Sequence, residues 1–460
     1  MTSLLLTGAT IITVDPQRRI LPDGAVLVQD DRIAAVGPSS EVTAADPSTR
    51  VLDCSGRVVI PGLVNTHTHL FQTLLKGLGD DMVLKDWFTC MTGPSAAELT
   101  VDDVYAAARH GAAEAVRSGT TTLVDFMYVH PRPGLTAAVI DALEGIGIRG
   151  VVGRGFITTG TENGVPARLV EDIDHALNDA ADLIGRQNRD DALVRVGLAP
   201  TMIWTVDEPA LRATRALADD TGALVMMHVS ETPFEIQNSL DRFGCRDTEL
   251  LARIGFLGPD VLAVHCVQCT DTDVQLLAEH RVGVSHNPCS NLYLASGFAP
   301  IPQMVRAGIA VGLGSDGPAS SNNHSMIQAM KFAALMHKGY TRDATIVTAE
   351  QVLEMATLGG ARALGLADQI GSIEVGKKAD LVVLAMDNLA VTPMHNPVSA
   401  LVYSALGSEP ETVIVDGHVV LEQGRLQTGD ETEIRNASTT AARALAARAG
   451  TAHLATRRWR

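Results

Sequence analysis

Short apolar runs recur through the middle of the chain. Each closes on a polar residue and is followed by residues with helical periodicity. The runs are Val58–Val64, Thr120–Asp125, Val194–Pro200, Leu224–His228, Val261–His265, Val282–His286 and Ala310–Asp316. Continuous apolar strands belong in a parallel sheet covered on both faces. Between them, Val101–Arg117, Glu208–Thr221 and Asp271–Glu279 read as helices. No G-x-G-x-x-G motif opens a helix after the first run, which argues against a doubly wound nucleotide-binding sheet. The repeated strand–helix order predicts an α/β fold, a (β/α)₈ TIM-like barrel over residues 59–370.

Both chain ends read differently. Leu4–Val14, Gly24–Val28 and Arg32–Gly37 are β-branched or alternating, and so are Asp380–Leu384 and Thr412–Val420, where Asp416-Gly417 makes a good hairpin turn. They predict one small β-sandwich built from residues 1–58 and 371–430. Residues 431–460 are Ala-rich and predict a helical tail, ending in a solvated Arg457-Arg458-Trp459-Arg460. A chain of 460 residues exceeds one ordinary domain, and a barrel of roughly 250 residues plus a smaller unit fits that length.

The formal net charge of −17 argues against nucleic acid or an anionic membrane as partner, since both require a basic face. A neutral or cationic small molecule is easier to accommodate. No apolar run reaches the roughly 20 residues that span a bilayer. Leu4–Leu6 lacks the basic flank and long apolar stretch of a signal peptide, so a cytoplasmic location is expected. The six cysteines are scattered and expected to be reduced. Cys266-Val-Gln-Cys269 is a lone pair, and without a second one a zinc ribbon is not expected.

A barrel places its chemistry at the C-terminal ends of its strands, and this chain puts a metal-capable side chain there repeatedly. His67-Thr-His69 follows the first run, and residues two apart on an extended segment point to one side. Both imidazoles can therefore enter one coordination sphere. His228, His265, His286 and Asp316 each end a later run. A single histidine after an apolar run is most often a hydrogen-bonded core residue; the whole set at successive strand ends is not a packing pattern. Glu231 stands one short step past His228, where a carboxylate can face a substrate or merely open a helix. Gln72 and Trp87 are candidates to line a pocket, with Trp87 able to stack on a flat ring. Arg154, at a strand end, can touch substrate or pair with an acid. Asn322, Asn323 and His324 follow Asp316 in a loop suited to substrate contacts.

These residues resemble the amidohydrolase superfamily, in the branch that holds atrazine chlorohydrolase, melamine deaminase, 8-oxoguanine deaminase and the methylthioadenosine/S-adenosylhomocysteine deaminases. The resemblance runs through nearly the whole chain. Its most specific pieces are Pro61–Gln72, His228-Val-Ser-Glu231, Ser285-His-Asn-Pro288, Gly314-Ser-Asp316 and Gly371–Leu381. It implies that His67, His69, His228 and Asp316 bind one divalent metal ion, zinc or else iron. It implies that His265 hydrogen-bonds the attacking water, or in some members approaches the metal itself, that Glu231 delivers protons to the ring nitrogen and leaving group, and that Asp316 or His265 takes the remaining water proton. Gln72, Trp87 and His286 match pocket positions, and relatives are commonly dimers or larger, so a homodimer is expected.

Binuclear relatives bridge two metals with a lysine from a middle strand, and Val194–Thr205 contains none. The unrelated zinc-deaminase signature, H-x-E with P-C-x-x-C, is also missing, because Pro288-Cys289 has no second cysteine at that spacing. The resemblance thus implies hydrolytic deamination of a small N-heteroaromatic: an aminated triazine, purine, pterin or pyrimidine. Chloride or alkylamine hydrolysis of an s-triazine is the alternative. Nucleoside deaminases of the branch carry a glutamate two residues after a proline near Trp87, whereas Pro94 here is followed by Ser95 and Ala96. The dechlorinating enzyme has asparagine directly after its metal aspartate, whereas this chain has Gly317.

Overall fold

The computed structural model describes residues 3–44 and 46–456. The basic ending Arg457–Arg460 lies outside the described residues. Eight parallel strands close into a barrel. In chain order they are Leu63–Thr68, Thr120–Met127, Arg149–Phe156, Val194–Pro200, Val225–Val229, Val261–His265, Gly283–His286 and Val311–Leu313. Almost every residue in them is buried, as a sheet lined inside and covered by helices outside requires.

The helices form where the apolar periodicity placed them, and their starts are chemically fixed. Val101–Arg117 opens on a capping box between Thr100 and Asp103, and Asp271–Glu279 on one between Thr270 and Asp273. Asp207 caps Glu208–Thr221 by accepting the Ala210 N–H. In each case a side chain satisfies N–H groups that the first turn leaves open. No described helix is long and apolar enough to cross a membrane.

Both ends of the chain share one nine-stranded sheet. Ser3–Ile12, Ile20–Gln29, Arg32–Pro38, Arg50–Asp53 and Val58–Pro61 come from the first end. Leu381–Leu384, Pro410–Val415, His418–Glu422 and Arg425–Leu426 come from the second. Val58–Pro61 pairs antiparallel with Leu381–Leu384, which joins the halves. Leu6, Ile11, Val28, Val59, Leu381 and Ile414 pack in one core of their own. The expected turn is present: Asp416 (φ 51°) and Gly417 (φ 78°) are both left-handed, as a two-residue hairpin turn matched to strand twist demands.

The first predicted run is split. Val58–Pro61 belongs to the small sheet and the barrel begins at Leu63. Gly62 makes the crossing because a Cβ there would lie 1.9 Å from Thr121 Oγ1. Ion pairs tie the sheet to the foot of the barrel. Arg149 reaches Asp380 at 3.0 Å and Asp416 at 2.8 Å, and Lys378 reaches Asp416 at 2.9 Å. The tail forms the helix Glu431–Arg448. It lies along Val101–Arg117, through Arg109–Glu433 at 3.0 Å, Arg117–Glu431 at 2.7 Å and His110–Ser438 at 2.8 Å.

Candidate active site

Strand ends bring the histidines together at one mouth of the barrel. His67 and His69 leave the first strand, His228 the fifth and His265 the sixth, while Asp316 follows the eighth. One nitrogen each from His67, His69 and His228 lie within 4.8 Å of one another. The same holds for one donor atom each from His67, His265 and Asp316. Asp316 Oδ1 stands 3.3 Å from His67 Nε2 and 3.4 Å from His69 Nε2, and the Nε2 atoms of His69 and His228 are 3.3 Å apart.

The hydrogen bonds behind these rings fix which nitrogen is free. His69 Nδ1–H donates to the Phe126 carbonyl at 2.8 Å, and His228 Nδ1–H to the Thr201 carbonyl at 2.7 Å. A carbonyl can only accept, so both Nε2 atoms present lone pairs to the shared space. His67 has no hydrogen-bond partner on either nitrogen among the described residues, although it is fully buried. Burial pushes the His67 imidazole down to about 4 and that of His69 to about 3, and it lowers His228 well below the ordinary histidine range. Burial acts the other way on Asp316, but His67, His265 and His69 outweigh it and hold the carboxylate ionised. Three neutral imidazoles and one carboxylate, with an unpartnered ring nitrogen among them, suit a borderline-soft divalent ion.

His265 and Glu231 face this cluster. His265 Nε2 is 3.7 Å from Glu231 Oε2 and 3.9 Å from Asp316 Oδ2. Its Nδ1 is 2.9 Å from Asn291 Oδ1 and 3.3 Å from Asn287 Nδ2; the shorter contact is to an oxygen that can only accept, which favours the proton on Nδ1 and a free lone pair on Nε2. Burial raises the Glu231 carboxyl; His265 opposes that, Asp316 adds to it, and Ser296 opposes it by donating its hydroxyl to Oε1 at 3.1 Å. The backbone around Glu231 is clamped from below. Ser230 is left-handed at φ 51°, and both its N–H and its hydroxyl donate to Asp247 at 2.6 Å. The Glu231 N–H donates to the Glu235 carboxylate at 2.6 Å. His265 and Asp316 are left-handed too, at φ 72° and 58°. Each such non-glycine residue costs of order 1–3 kcal/mol, and such strain gathers where side chains are held for use.

The cavity over these groups has about 430 Å³ of atom-free space. Gln72, Trp87, Phe88, Tyr128, Met202 and Trp204 line it, along with Leu84, Leu294 and Ser320. Trp87 is pinned by its Nε1–H donating to the Ala319 carbonyl at 2.9 Å, and Gln72 Nε2 donates to Tyr128 Oη at 3.3 Å.

Three groups of residues from the sequence reading lie elsewhere. Arg154 faces the helix layer rather than the lumen, because side chains alternate along a strand. It pairs with Glu171 and with Asp179 of the helix Ile173–Gln187, both at 2.8 Å. His286 turns to His337 on the helix Met326–Thr341, with the Nε2 atoms 3.2 Å apart, and does not line the cavity. His324 sits behind Asp316, 3.4 Å from the hydroxyls of Thr68 and Ser315, while Asn323 bonds Gln328 and Asn322 meets Tyr293. Tyr128, just past the second strand, was within reach of the strand-end rule. Asn291, Ser296 and Trp204 were not: Asn291 sits on the short helix Pro288–Tyr293, Ser296 just past it, and Trp204 in the turn after the fourth strand.

Residues 58–420 match the amidohydrolase family, and residues 24–45 match the imidazolonepropionase-like composite domain of bacteria. The chain belongs to the amidohydrolase family and is a hydrolase. It is 39% identical to a 5-methylthioadenosine/S-adenosylhomocysteine deaminase of Syntrophobacter fumaroxidans, over 94% of this chain and 95% of that one. A zinc-bound adenosine deaminase from Xanthomonas campestris superposes with a TM-score of 0.91 at 32% identity, covering 97% of this chain and 99% of that one. The zinc complex of atrazine chlorohydrolase from Arthrobacter aurescens also gives a TM-score of 0.91, at 26% identity, covering 95% and 100%.

Proposed function

We propose that this protein is a hydrolytic deaminase that removes the amino group from an adenine-type N-heteroaromatic ring. One observation carries the reading. Glu231 Oε2 and His265 Nε2 face each other at 3.7 Å beside the histidine–Asp316 cluster, within a cavity walled by Trp87, Phe88 and Trp204. The relatives supply the ring: those of S. fumaroxidans and X. campestris are named for adenine compounds.

A divalent ion, zinc by analogy with the neighbours, would be held by His67, His69, His228 and Asp316; as a Lewis acid it brings the pKa of a water to about 7. The side chains do the rest. Ser296 occupies Glu231 Oε1, so Oε2 carries the proton that burial favours. Glu231 gives this proton to the ring nitrogen beside the amino-bearing carbon as the water oxygen adds to that carbon. The lone pair of His265 Nε2, with the ionised Asp316 beside it, takes the proton that the water loses. His265 then passes that proton to the amine, the new hydroxyl gives its own to the Glu231 carboxylate, the C–N bond breaks, and ammonia leaves a ring that keeps the oxygen. Trp87 and Phe88 flank the flat ring, which aromatic faces favour.

The test is ammonia release by the purified full chain from aminated purines, pterins, pyrimidines and triazines. Release from adenine-type rings above all others supports the reading, and none from any adenine-type ring overturns it. The likeness to atrazine chlorohydrolase supports a second reading, hydrolysis of chloride or alkylamine from a triazine; chloride release in the same panel would favour it.

A further inference from the structure

One face of the helix Met326–Thr341 is turned to solvent although much of it is apolar. Gln328, Phe332, Leu335 and Gly339 follow one another at steps of four, three and four residues, which aligns them along a single seam. Beside it Tyr340 stacks on Phe298, their ring centres 4.3 Å apart. The helix Pro288–Tyr293 packs on the first and adds Leu292. Phe332, Leu335, Tyr340, Phe298 and Leu292 are each between 37% and 65% exposed. At roughly 200 Å² for a whole side chain of this size, they leave about 450 Å² of apolar surface in water. A standard interface takes about 800 Å² from each partner, and a little over half of that is apolar. The face therefore matches one side of such an interface.

Gly339 gives the seam its shape. Glycine within a helix is less stable than alanine, yet a Cβ at Gly339 would meet no described atom within 4 Å. The chain's own packing does not require glycine there. The missing side chain leaves a hollow seven residues along the seam from the Phe332 ring. When two identical helices lie antiparallel about a two-fold axis, whatever residue i meets on the partner meets i in return. Phe332 of each copy then covers Gly339 of the other, and Leu335 lies at the axis.

The distribution of charge favours the same occupant. The chain holds 53 acidic residues and a net charge of −17, yet from His280 to Arg342 the one acidic residue is Asp316, inside the active site. Like-charged copies repel unless the surfaces that meet are cleared of that charge. Of the two lysines beside the seam, Lys331 and Lys338, the second is drawn away to donate to Tyr403 Oη at 2.7 Å. We infer that this face joins two copies of the chain, with their Met326–Thr341 helices antiparallel and Phe332 of each seated over Gly339 of the other. Family likeness leads to a homodimer without saying which surface forms it; the exposed seam, its hollow and the cleared charge identify that surface.

The experiment is sedimentation equilibrium of the full chain at about 50 μM, above the micromolar limit of interfaces of standard size. Twice the chain mass, or an even multiple of it, is expected. Leu335→Glu sets two carboxylates against each other at the axis; it should raise the dissociation constant at least about 10²-fold and halve the assembly. Gly339→Gln fills the hollow with a better helix former, so it should halve the assembly while circular dichroism shows the fold intact. Leu389→Glu, at a side chain 99% exposed outside this face, should leave the assembly whole. A wild type of single-chain mass overturns the inference, the face then serving a different partner. An assembly that either Leu335→Glu or Gly339→Gln leaves whole as a folded protein overturns it too, as does one that Leu389→Glu splits equally. If one of the two seam variants fails to fold, the other decides. The readout is mass alone, so the outcome is independent of the deaminase reading.

Discussion

Gly317 offers a test that depends on one contact. A Cβ at Gly317 would lie 1.9 Å from Gln72 Oε1 and 2.5 Å from Gln72 Cδ. Relaxing that contact to normal separation moves the carboxamide by about 1.5 Å. Gln72 is fully buried and lines the cavity, so its end group would swing toward the space the ring occupies. Overpacking of this kind costs about 1–3 kcal/mol of stability. A reacting group misplaced by about 1 Å costs on the order of 10²-fold in rate. Gly317→Ala should therefore fold, with kcat/KM for ammonia release reduced about 10²-fold. In the Gln72→Ala background the same change should cost almost nothing, because the obstructed group is gone. The cycle then gives a coupling of up to about 2.7 kcal/mol. Equal losses in both backgrounds would refute the steric account and place the damage on Asp316, whose Oδ1 accepts the Gly317 N–H at 2.6 Å.

Glu231→Gln keeps the shape of the side chain but cannot transfer a proton; kcat should fall by roughly 10²–10⁴-fold while metal content measured on the same sample is unchanged. Near-normal turnover would remove Glu231 from the chemistry. Arg154→Met leaves Glu171 without its buried partner at 2.8 Å; chemical denaturation should show a loss of about 3 kcal/mol with KM unchanged, and a raised KM in a stable variant would restore Arg154 to the substrate. Burial alone would raise the Asp416 carboxyl, but Arg149 and Lys378 outweigh it and hold it below its ordinary value. The sign follows: its stabilising effect is complete above the unfolded pKa of about 4 and is lost as pH falls through the lower folded value. The melting temperature of Asp416→Asn should accordingly fall less steeply with acid than that of the wild type, and parallel curves would contradict this.

Much of the barrel was legible because its signals are local. Continuous apolar strands, capped amphipathic helices and polar residues at strand ends are all written in short stretches, and His67, His69, His228, His265 and Asp316 converge because strand ends converge. Gly62 broke the first strand for a reason the stretch does not show, the close approach of Thr121. Arg154 and His286 also stand at strand ends, yet their partners Asp179 and His337 lie on helices outside the barrel; which face a residue takes depends on register, and one step reverses it. Asn291, on the short helix Pro288–Tyr293, and Ser296, just past it, hold His265 and Glu231, and only the fold brings that segment back over the site.

The most direct test is an anomalous-difference map of zinc-loaded crystals, recorded just above the zinc absorption edge. One peak per chain is expected, about 2.0–2.2 Å from the Nε2 atoms of His67, His69 and His228 and within reach of Asp316. A peak elsewhere in the chain, a second peak beside the first, or none after loading would contradict a single ion shared by these four side chains.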